Sequence, residues 1–339
     1  MNATSPQIRL ALPSKGRMEE ETLRFLEECG LPVSKTNPRQ YRAGIPALPE
    51  ILVIFQRPRD IPRSVSAGDI DLGITGYDAI VEGLADLDRI IVIHEALEYG
   101  ACSLVVAVPM EWNDVGSVRE LGARSLTQRL RIATKYPNTV GRFLRQHGLH
   151  KIEMVGADGA LESAPAIGYA ELIADITSTG TTLQDNRLKP LADGVIVESQ
   201  AMLIGNRQAL RKDEQVRSIA RQMLEFVEAH MRARGQYLVF ANIRGQSEAE
   251  IAALIAGQPD LEGLQGPTIA PILSISGRGG WWAINLVISS ARLYPAIEEI
   301  RAIGGSGVVV TPARYIFEER PARYERSLLD LRMAQESNP

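Results

Sequence analysis

The sequence predicts an α/β protein with a mostly parallel sheet, followed by a smaller α+β domain. Three observations predict it. Short apolar runs alternate with amphipathic segments from Ile8 to Ile204. Glycine-bearing turns follow several of those runs, at Lys15–Arg17, Thr75–Tyr77 and Thr179–Thr182, where open α/β sheets bind ligands. After Gly235 the pattern changes to β-α-β-β-α-β, the ferredoxin-like order.

In chain order, Ile8–Leu12 reads as a strand. It leads through Pro13-Ser-Lys-Gly-Arg-Met18 into a helix from Glu19 to Cys29, stopped by Gly30. Lys15, Gly16 and Arg17 stand just before that helix, as an anion site or as a solvated basic turn. Residues 34–50 are rich in proline and polar groups and read as an irregular excursion. Ile51–Phe55 is a strand, and Arg57-Pro-Arg-Asp-Ile-Pro62 opens a helix to Ala67. Asp69–Asp78 reads strand then glycine turn, with a helix through Glu82. Leu104–Pro109, Leu130–Thr134 and Ile152–Val155 are strands, and Pro137–His147 is a helix. His147 and His150 flank Gly148, which suits a helix end better than a metal.

The stretch Glu171–Asn186 carries the strongest local chemistry. Leu172–Thr177 suits a buried strand, and Thr177-Ser-Thr-Gly-Thr-Thr182 is a run of hydroxyls around one glycine. Thr181 stands three residues before Gln184, the spacing of a capping box. Backbone N–H groups and hydroxyls gathered around a glycine suit a phosphate, although an ordinary Ser/Thr-rich turn has the same composition. Val195–Ile204 is again strand-like, and Lys212–Arg234 is an amphipathic helix. Beyond Gly235, strands are expected at Tyr237–Ile243, Pro267–Ser276, Gly280–Ser289 and Gly307–Ile316, with helices at Ser247–Ile255 and Tyr294–Ile303. Trp281 and Trp282 read as sheet packing, and the tail from Glu319 as charged and frayed.

Composition excludes several classes. The 339 residues are 45% hydrophobic and 23% charged with net charge −4, so no nucleic acid is expected as partner. Two cysteines make no disulfide framework and fit a reducing, cytoplasmic compartment. No apolar run reaches membrane-spanning length, and the N-terminus lacks a signal-peptide pattern, so no membrane is expected.

Read together, several motifs resemble the ATP phosphoribosyltransferase family. They are Ala11-Leu-Pro-Ser-Lys-Gly-Arg17, Arg57 with Asp60-Ile-Pro62, Asp71-Leu-Gly-Ile-Thr-Gly76 with Asp78 and Glu82, and Cys102–Pro109. Arg131-Ile-Ala-Thr-Lys-Tyr-Pro-Asn138, Glu162 with Pro165, and Asp175–Leu183 follow in order. The resemblance covers about residues 8–206. Gly266-Pro-Thr-Ile-Ala-Pro271 and Gly304–Pro312 resemble the regulatory domain of the long form. Ser14 departs from the usual Pro-Lys-Gly-Arg run, and Ser274–Gly280 is longer and richer in glycine than that domain's pattern.

The resemblance implies a bilobal core like that of periplasmic binding proteins, with a C-terminal ferredoxin-like (ACT-like) domain. Residues 1–103 and 190–234 would form one lobe, 104–189 the second, and 235–339 the regulatory domain. It implies transfer of phosphoribose from phosphoribosyl pyrophosphate to ATP with Mg²⁺, as the first step of histidine biosynthesis. It also implies feedback by histidine and assembly as homodimers and hexamers. Lys15, Arg17 and Asp175 would be catalytic. Glu162, Glu171, Asp175, Thr177, Ser178, Thr179, Gly180, Thr181 and Thr182 would bind phosphoribosyl pyrophosphate. Lys15, Gly16, Arg17, Arg57, Thr75 and Gly76 would bind ATP, and Leu264, Thr268 and Gly307 histidine. The competing expectations are a bilobal anion-binding sensor and a catalytically inactive regulatory paralogue.

Overall fold

The computed structural model describes residues 7–35, 41–85, 87–157, 159–273, 280–319 and 322–326. The chain forms two compact units, Met1–Leu224 with Ala322–Pro339, and Glu225–Pro321. The division expected after Arg234 thus falls earlier, within a continuous helix that both units share.

The first unit opens with β1 Ile8–Pro13, α1 Gly16–Glu28, β2 Arg42–Ile45, β3 Leu48–Gln56, α2 Ile61–Ala67, β4 Leu72–Gly76, α3 Tyr77–Gly83 and β5 Ile90–His94. The chain then crosses to β6 Cys102–Pro109, α4 Val118–Thr127, β7 Leu130–Thr134, α5 Pro137–Gln146, β8 Ile152–Gly156, α6 Ala164–Ile167, β9 Leu172–Thr177, α7 Thr181–Asp185 and β10 Leu188–Ser199. It crosses back to β11 Ala201–Asn206, α8 Arg207–Lys212 and α9 Glu214–Ala233. Lobe I is a six-stranded sheet in the order β2-β3-β1-β4-β11-β5, and lobe II a five-stranded sheet in the order β10-β6-β9-β7-β8.

Two expectations change here. The irregular excursion contains β2, which hairpins against β3 with Ala43 opposite Val53. The single strand expected over Val195–Ile204 is two strands in different sheets, parted at Gln200. The return to lobe I therefore starts at Ala201 rather than near residue 190, and Cys102 and Ser103 belong to lobe II. The two crossings run side by side. Leu97 N–H donates to the Ala201 carbonyl and Ala201 N–H to the Tyr99 carbonyl, each at 3.0 Å.

Both lobes start their parallel strands with the same device. In lobe I, the Arg9 guanidinium on β1 grips the Asp71 carboxylate at 3.0 and 3.1 Å and the Gly68 carbonyl at 3.1 Å, while Arg9 N–H donates to Asp71 Oδ2 at 2.8 Å. In lobe II, Arg131 on β7 grips Glu171 at 2.7 and 3.2 Å and the Gly168 carbonyl at 2.8 Å, while its N–H donates to Glu171 Oε2 at 2.7 Å. Gly68 and Gly168 end short helices with φ of +85° and +87°, a conformation glycine adopts without strain. A forked guanidinium suits this geometry because it satisfies a carboxylate and a carbonyl together.

Burial follows the expected periods. Lobe II packs Val106, Val108, Ile132 and Leu172 of its sheet against Leu121, Val140 and Leu144 of its helices. The second unit adds β12 Gln236–Arg244, α10 Glu248–Ala256, β13 Thr268–Pro271, β14 Trp281–Ser289, α11 Leu293–Ala302 and β15 Ser306–Pro312. Its sheet order, β13-β14-β12-β15 with antiparallel neighbours, is the ferredoxin-like arrangement. Val239, Ala241 and Ile243 alternate inward with Ile284, Leu286 and Ile288 against Ile251 and Ile300. Trp282 packs on this core and donates its indole N–H to the Gly245 carbonyl at 3.0 Å. Residues 274–279 of the glycine-rich departure lie outside the described residues. The tail expected to fray has Arg323 paired with Glu95 at 3.1 Å; residues 327–339 lie outside the described residues.

One buried group makes the fold pH-sensitive. His94 closes β5 with 0% exposure, and its Nδ1 accepts from Ala96 N–H at 3.2 Å, which fixes the neutral ring. Burial, helped by the nearby Arg323 guanidinium, holds its pKa down to about 4. The unfolded imidazole takes a proton below its ordinary 6.5 while the folded one does not. Stability is therefore full above pH 6.5 and falls by about 3 kcal/mol as pH drops through 4. Urea unfolding at pH 7 and pH 5 should show this slope, and His94→Gln should flatten it. Equal slopes in both proteins would assign the effect to other groups.

Candidate active site

Strand direction and register bring the turns of the two lobes to one place. The turns after β1 and β4 in lobe I face the turns after β7 and β9 in lobe II. Between them lies a cleft of about 1150 Å³. Its lining includes Lys15, Arg17, Arg57, Arg59, Arg63 and Lys135 against the acids Glu21, Asp78 and Glu82. This concentration of positive charge, in a chain of net charge −4, suits polyanions.

On lobe I, β1 ends at Pro13 and Lys15 takes the N-cap position of α1 with an extended backbone. Gly16 follows at φ +70°, and a side chain added there would meet nothing within 4 Å. Arg17 bridges the lobes: its Nε donates to Glu21 at 2.7 Å and its guanidinium to Ser178 Oγ at 3.1 Å. Arg57 is exposed at the cleft wall. Gly76 also lines it, and a Cβ there would lie 2.3 Å from Asp78 Oδ1, so Asp78 can fold back onto the turn only because residue 76 has no side chain.

On lobe II, the loop after β9 is organised by its own hydroxyls. Thr177 Oγ1 accepts from Gly180 N–H at 2.9 Å, and the Thr179 and Thr181 hydroxyls lie 2.9 Å apart. Gly180 adopts φ +77° with open space where a Cβ would project. It, rather than Thr181, holds the N-cap of α7, so the expected capping box does not form. Thr177 and Ser178 line the cleft, and Thr179, Gly180, Thr181 and Thr182 continue the loop beyond it. Asp175 is 9% exposed on β9. The parallel register that sets Thr134 beside Ala174 puts Lys135 next to Asp175, with Nζ to Oδ2 at 3.9 Å. Burial raises the Asp175 pKa above the usual carboxylate range, with Lys135 opposing.

Several sequence-derived positions stand elsewhere. Glu171 is not in the cleft lining: both oxygens are taken by Arg131, which holds its pKa low. The Thr75 side chain is buried with its hydroxyl on the Pro58 carbonyl at 2.8 Å, so it shapes the turn rather than facing a ligand. Glu162 stands outside the lining but close enough to Asp175 to raise its pKa. In the second unit Thr268 starts the edge strand β13 and Gly307 lies on the opposite edge strand β15, with β14 and β12 between. Three strand spacings are about 14 Å, too far for one histidine to touch both within a single chain. Leu264 is exposed between Leu261 and β13.

The structure also brings in residues not assigned to the site from sequence. Lys135, Asp78, Tyr136 and Cys102 all line the cleft. Tyr136 OH donates to Asp78 Oδ2 at 2.9 Å, and burial beside that carboxylate raises its pKa. Burial pushes the Cys102 thiol up to about 11. Their common signal is position, just after a strand or at its start.

Comparison with known proteins identifies relatives of the chain. The ATP phosphoribosyltransferase family matches residues 57–254, and the family described as HisG, C-terminal domain matches residues 233–315. The chain is 42% identical over 333 residues to ATP phosphoribosyltransferase 1, chloroplastic, of Arabidopsis thaliana, covering 96% of this chain and 81% of that protein. It is 34% identical over 323 residues to ATP phosphoribosyltransferase of Rhodopseudomonas palustris, covering 93% and 95%. Among solved structures, a chain of the ATP phosphoribosyl transferase (HisG:HisZ) complex from Thermotoga maritima aligns with a TM-score of 0.51 and 28% identity, over 66% of this chain and 99% of that one. The chain thus belongs to the ATP phosphoribosyltransferase family, a family of glycosyltransferases that serve histidine biosynthesis.

Proposed function

We propose that the cleft binds ATP and phosphoribosyl pyrophosphate together and that the two lobes divide the work. The observation that carries this is the meeting of lobe I cations with the hydroxyl-rich loop of lobe II across one cleft. The loop Thr177–Thr182 holds the ribose 5′-phosphate, and Asp175 takes the ribose hydroxyls. Lys15, Arg17 and Arg57 bind the phosphates of ATP and of the departing pyrophosphate.

In the transfer, a ring nitrogen of adenine attacks the ribose anomeric carbon with its lone pair. The bond to pyrophosphate breaks, and its electrons leave with that group. The nitrogen loses no proton in this step, so no general base is required. The protein's work is to align the two substrates and to stabilise the leaving charge. Among the described residues, no three His, Cys, Asp or Glu gather to hold a metal. That suits Mg²⁺ carried on substrate phosphates, which takes one or two carboxylates and keeps water. Asp175, on the strand that leads into the phosphate loop, and Glu162, close enough to raise the Asp175 pKa, are the carboxylates that would hold it. Mg²⁺ would spread the charge of pyrophosphate.

Histidine feedback through Glu225–Pro321 is part of this proposal. Its support is the ferredoxin-like order of that unit and the match to the family's C-terminal domain. Homodimers and hexamers fit the separation of Thr268 and Gly307, since residues of more than one chain can complete such a site. Among the described residues no helix is long and apolar enough to cross a membrane. Two cysteines without a disulfide fit the cytoplasm, while two Arabidopsis relatives are described as chloroplastic. The Arabidopsis and Rhodopseudomonas relatives are described as ATP phosphoribosyltransferases, which favours the transferase over a binding-only sensor or an inactive paralogue.

Pyrophosphate release from ATP and phosphoribosyl pyrophosphate tests the reading. Gly180→Val puts a branched side chain at φ +77° into the space assigned to phosphate. Losing one well-placed donor to a developing charge costs about 3 kcal/mol, so turnover should fall at least a hundredfold. Calorimetry should show weaker binding of phosphoribosyl pyrophosphate than of ATP relative to the parent protein. Normal affinity in a folded variant would remove the loop from the site. Histidine should slow the parent enzyme, and Thr268→Ala should weaken that inhibition while leaving uninhibited turnover unchanged. Inhibition of equal strength in the variant would remove Thr268 from the regulatory site.

A further inference from the structure

The helix α5 has no cap of its own. Its N-cap residue Tyr136 makes no side-chain bond to it, and Pro137 opens it. The cap comes from the other lobe. Glu82, at the end of α3, accepts from Asn138 N–H at 3.1 Å and from Thr139 N–H at 2.9 Å. The Asn138 side-chain amide donates to the Glu82 carbonyl at 3.0 Å, and Arg142 donates to the Val81 carbonyl at 2.6 Å. Nearer the crossings, Asp78 accepts from Tyr136 OH at 2.9 Å and from Ser199 Oγ at 2.7 Å. Each of these bonds joins α3 of lobe I to lobe II.

A carboxylate in a cleft for two polyanions opposes binding unless its charge is answered. Here both Glu82 oxygens are taken by N–H groups at the positive end of α5, which answers it without drawing on the lysine and arginine side chains of the cleft. The bonds form only while the lobes face each other as they do here.

We propose that Glu82 is a positioning residue that latches the lobes closed. It sets the reach from Lys15, Arg17 and Arg57 to the Thr177–Thr182 loop. The proposal rests on the reading of the cleft as a two-substrate site. A latch acts on the closed population, which both substrates need, so its loss weakens both alike. A direct contact would weaken one.

The test is steady-state kinetics on the full chain with Glu82→Ala and Glu82→Gln. The loss of a helix cap corresponds to roughly a three- to thirtyfold rise in KM, expected for both substrates, with kcat within about twofold. Glu82→Gln retains one acceptor oxygen and should fall between the parent and Glu82→Ala. Hydrogen exchange should speed up at the Asn138 and Thr139 amides in the alanine variant. Arg142→Ala, which removes the bond to Val81, should raise both KM values in the same ratio and stands in if Glu82→Ala does not fold. A rise confined to one substrate, a fall in kcat at unchanged KM, or unchanged KM values would each overturn the latch. Absence of pyrophosphate release by the parent protein would instead overturn the substrate reading, and exchange at Asn138 and Thr139 would still report on the latch.

Discussion

Each lobe of the first unit lacks one strand, and the chain supplies it on its way from the other lobe. β11 enters lobe I between β4 and β5, pairing Leu203 with Ile74 on one side and His94 on the other. β6 enters lobe II between β9 and β10, pairing Val105 with Asp175 and Val195. Each inserted strand runs antiparallel to both neighbours. The lobes are thereby joined by extended chain locked into both sheets, with the two crossings bonded to each other at Leu97, Tyr99 and Ala201. The floor of the cleft is part of this construction, since Gly100, Ala101 and Cys102 line it.

The matching order of the sheets, β3-β1-β4-β11-β5 and β8-β7-β9-β6-β10, makes the lobes two versions of one plan. The Arg9–Asp71–Gly68 and Arg131–Glu171–Gly168 clamps occupy equivalent places in it. The turns beyond those clamps then diverge. In lobe I the turn after β4 leads to the acidic face of α3, while in lobe II the turn after β9 becomes the hydroxyl loop. A shared frame with different turns lets one lobe present carboxylates on α3 and the other neutral hydroxyl donors at the equivalent place.

The elements that were legible in the sequence are those whose cause is local. The hydroxyl loop is one: its glycine and threonines bond mainly to each other, so composition carried the information. The ferredoxin-like order of the second unit is another, since alternating apolar residues mark its strands without reference to distant partners. What local reading does not reach depends on groups far apart in the chain. Glu171 stands outside the cleft lining with both oxygens on Arg131, forty residues away, a partner invisible to local reading. Glycine three residues before an acid at a strand start, with an arginine at the start of another strand, occurs twice and is the pattern that would have found it. Asp78 and Tyr136 join the site only because the two lobes meet. The break at Gln200 is masked in the sequence by apolar residues on both sides of it, and its one local signal is polar Glu198-Ser-Gln200 inside an apolar run.

Exchanging strands between lobes has a consequence for how the protein is made. When His94 leaves the ribosome, β4 and β5 have an open slot between them. The strand that fills it, Ala201–Asn206, emerges roughly a hundred residues later, about 5–20 s at ordinary rates of synthesis. Lobe I therefore waits with two unpaired apolar edges while the whole of lobe II is translated. Unpaired edges of this kind are where nascent chains join one another wrongly. The first lobe of this enzyme is finished second, and its yield in a cell depends on what shields that slot in the interval.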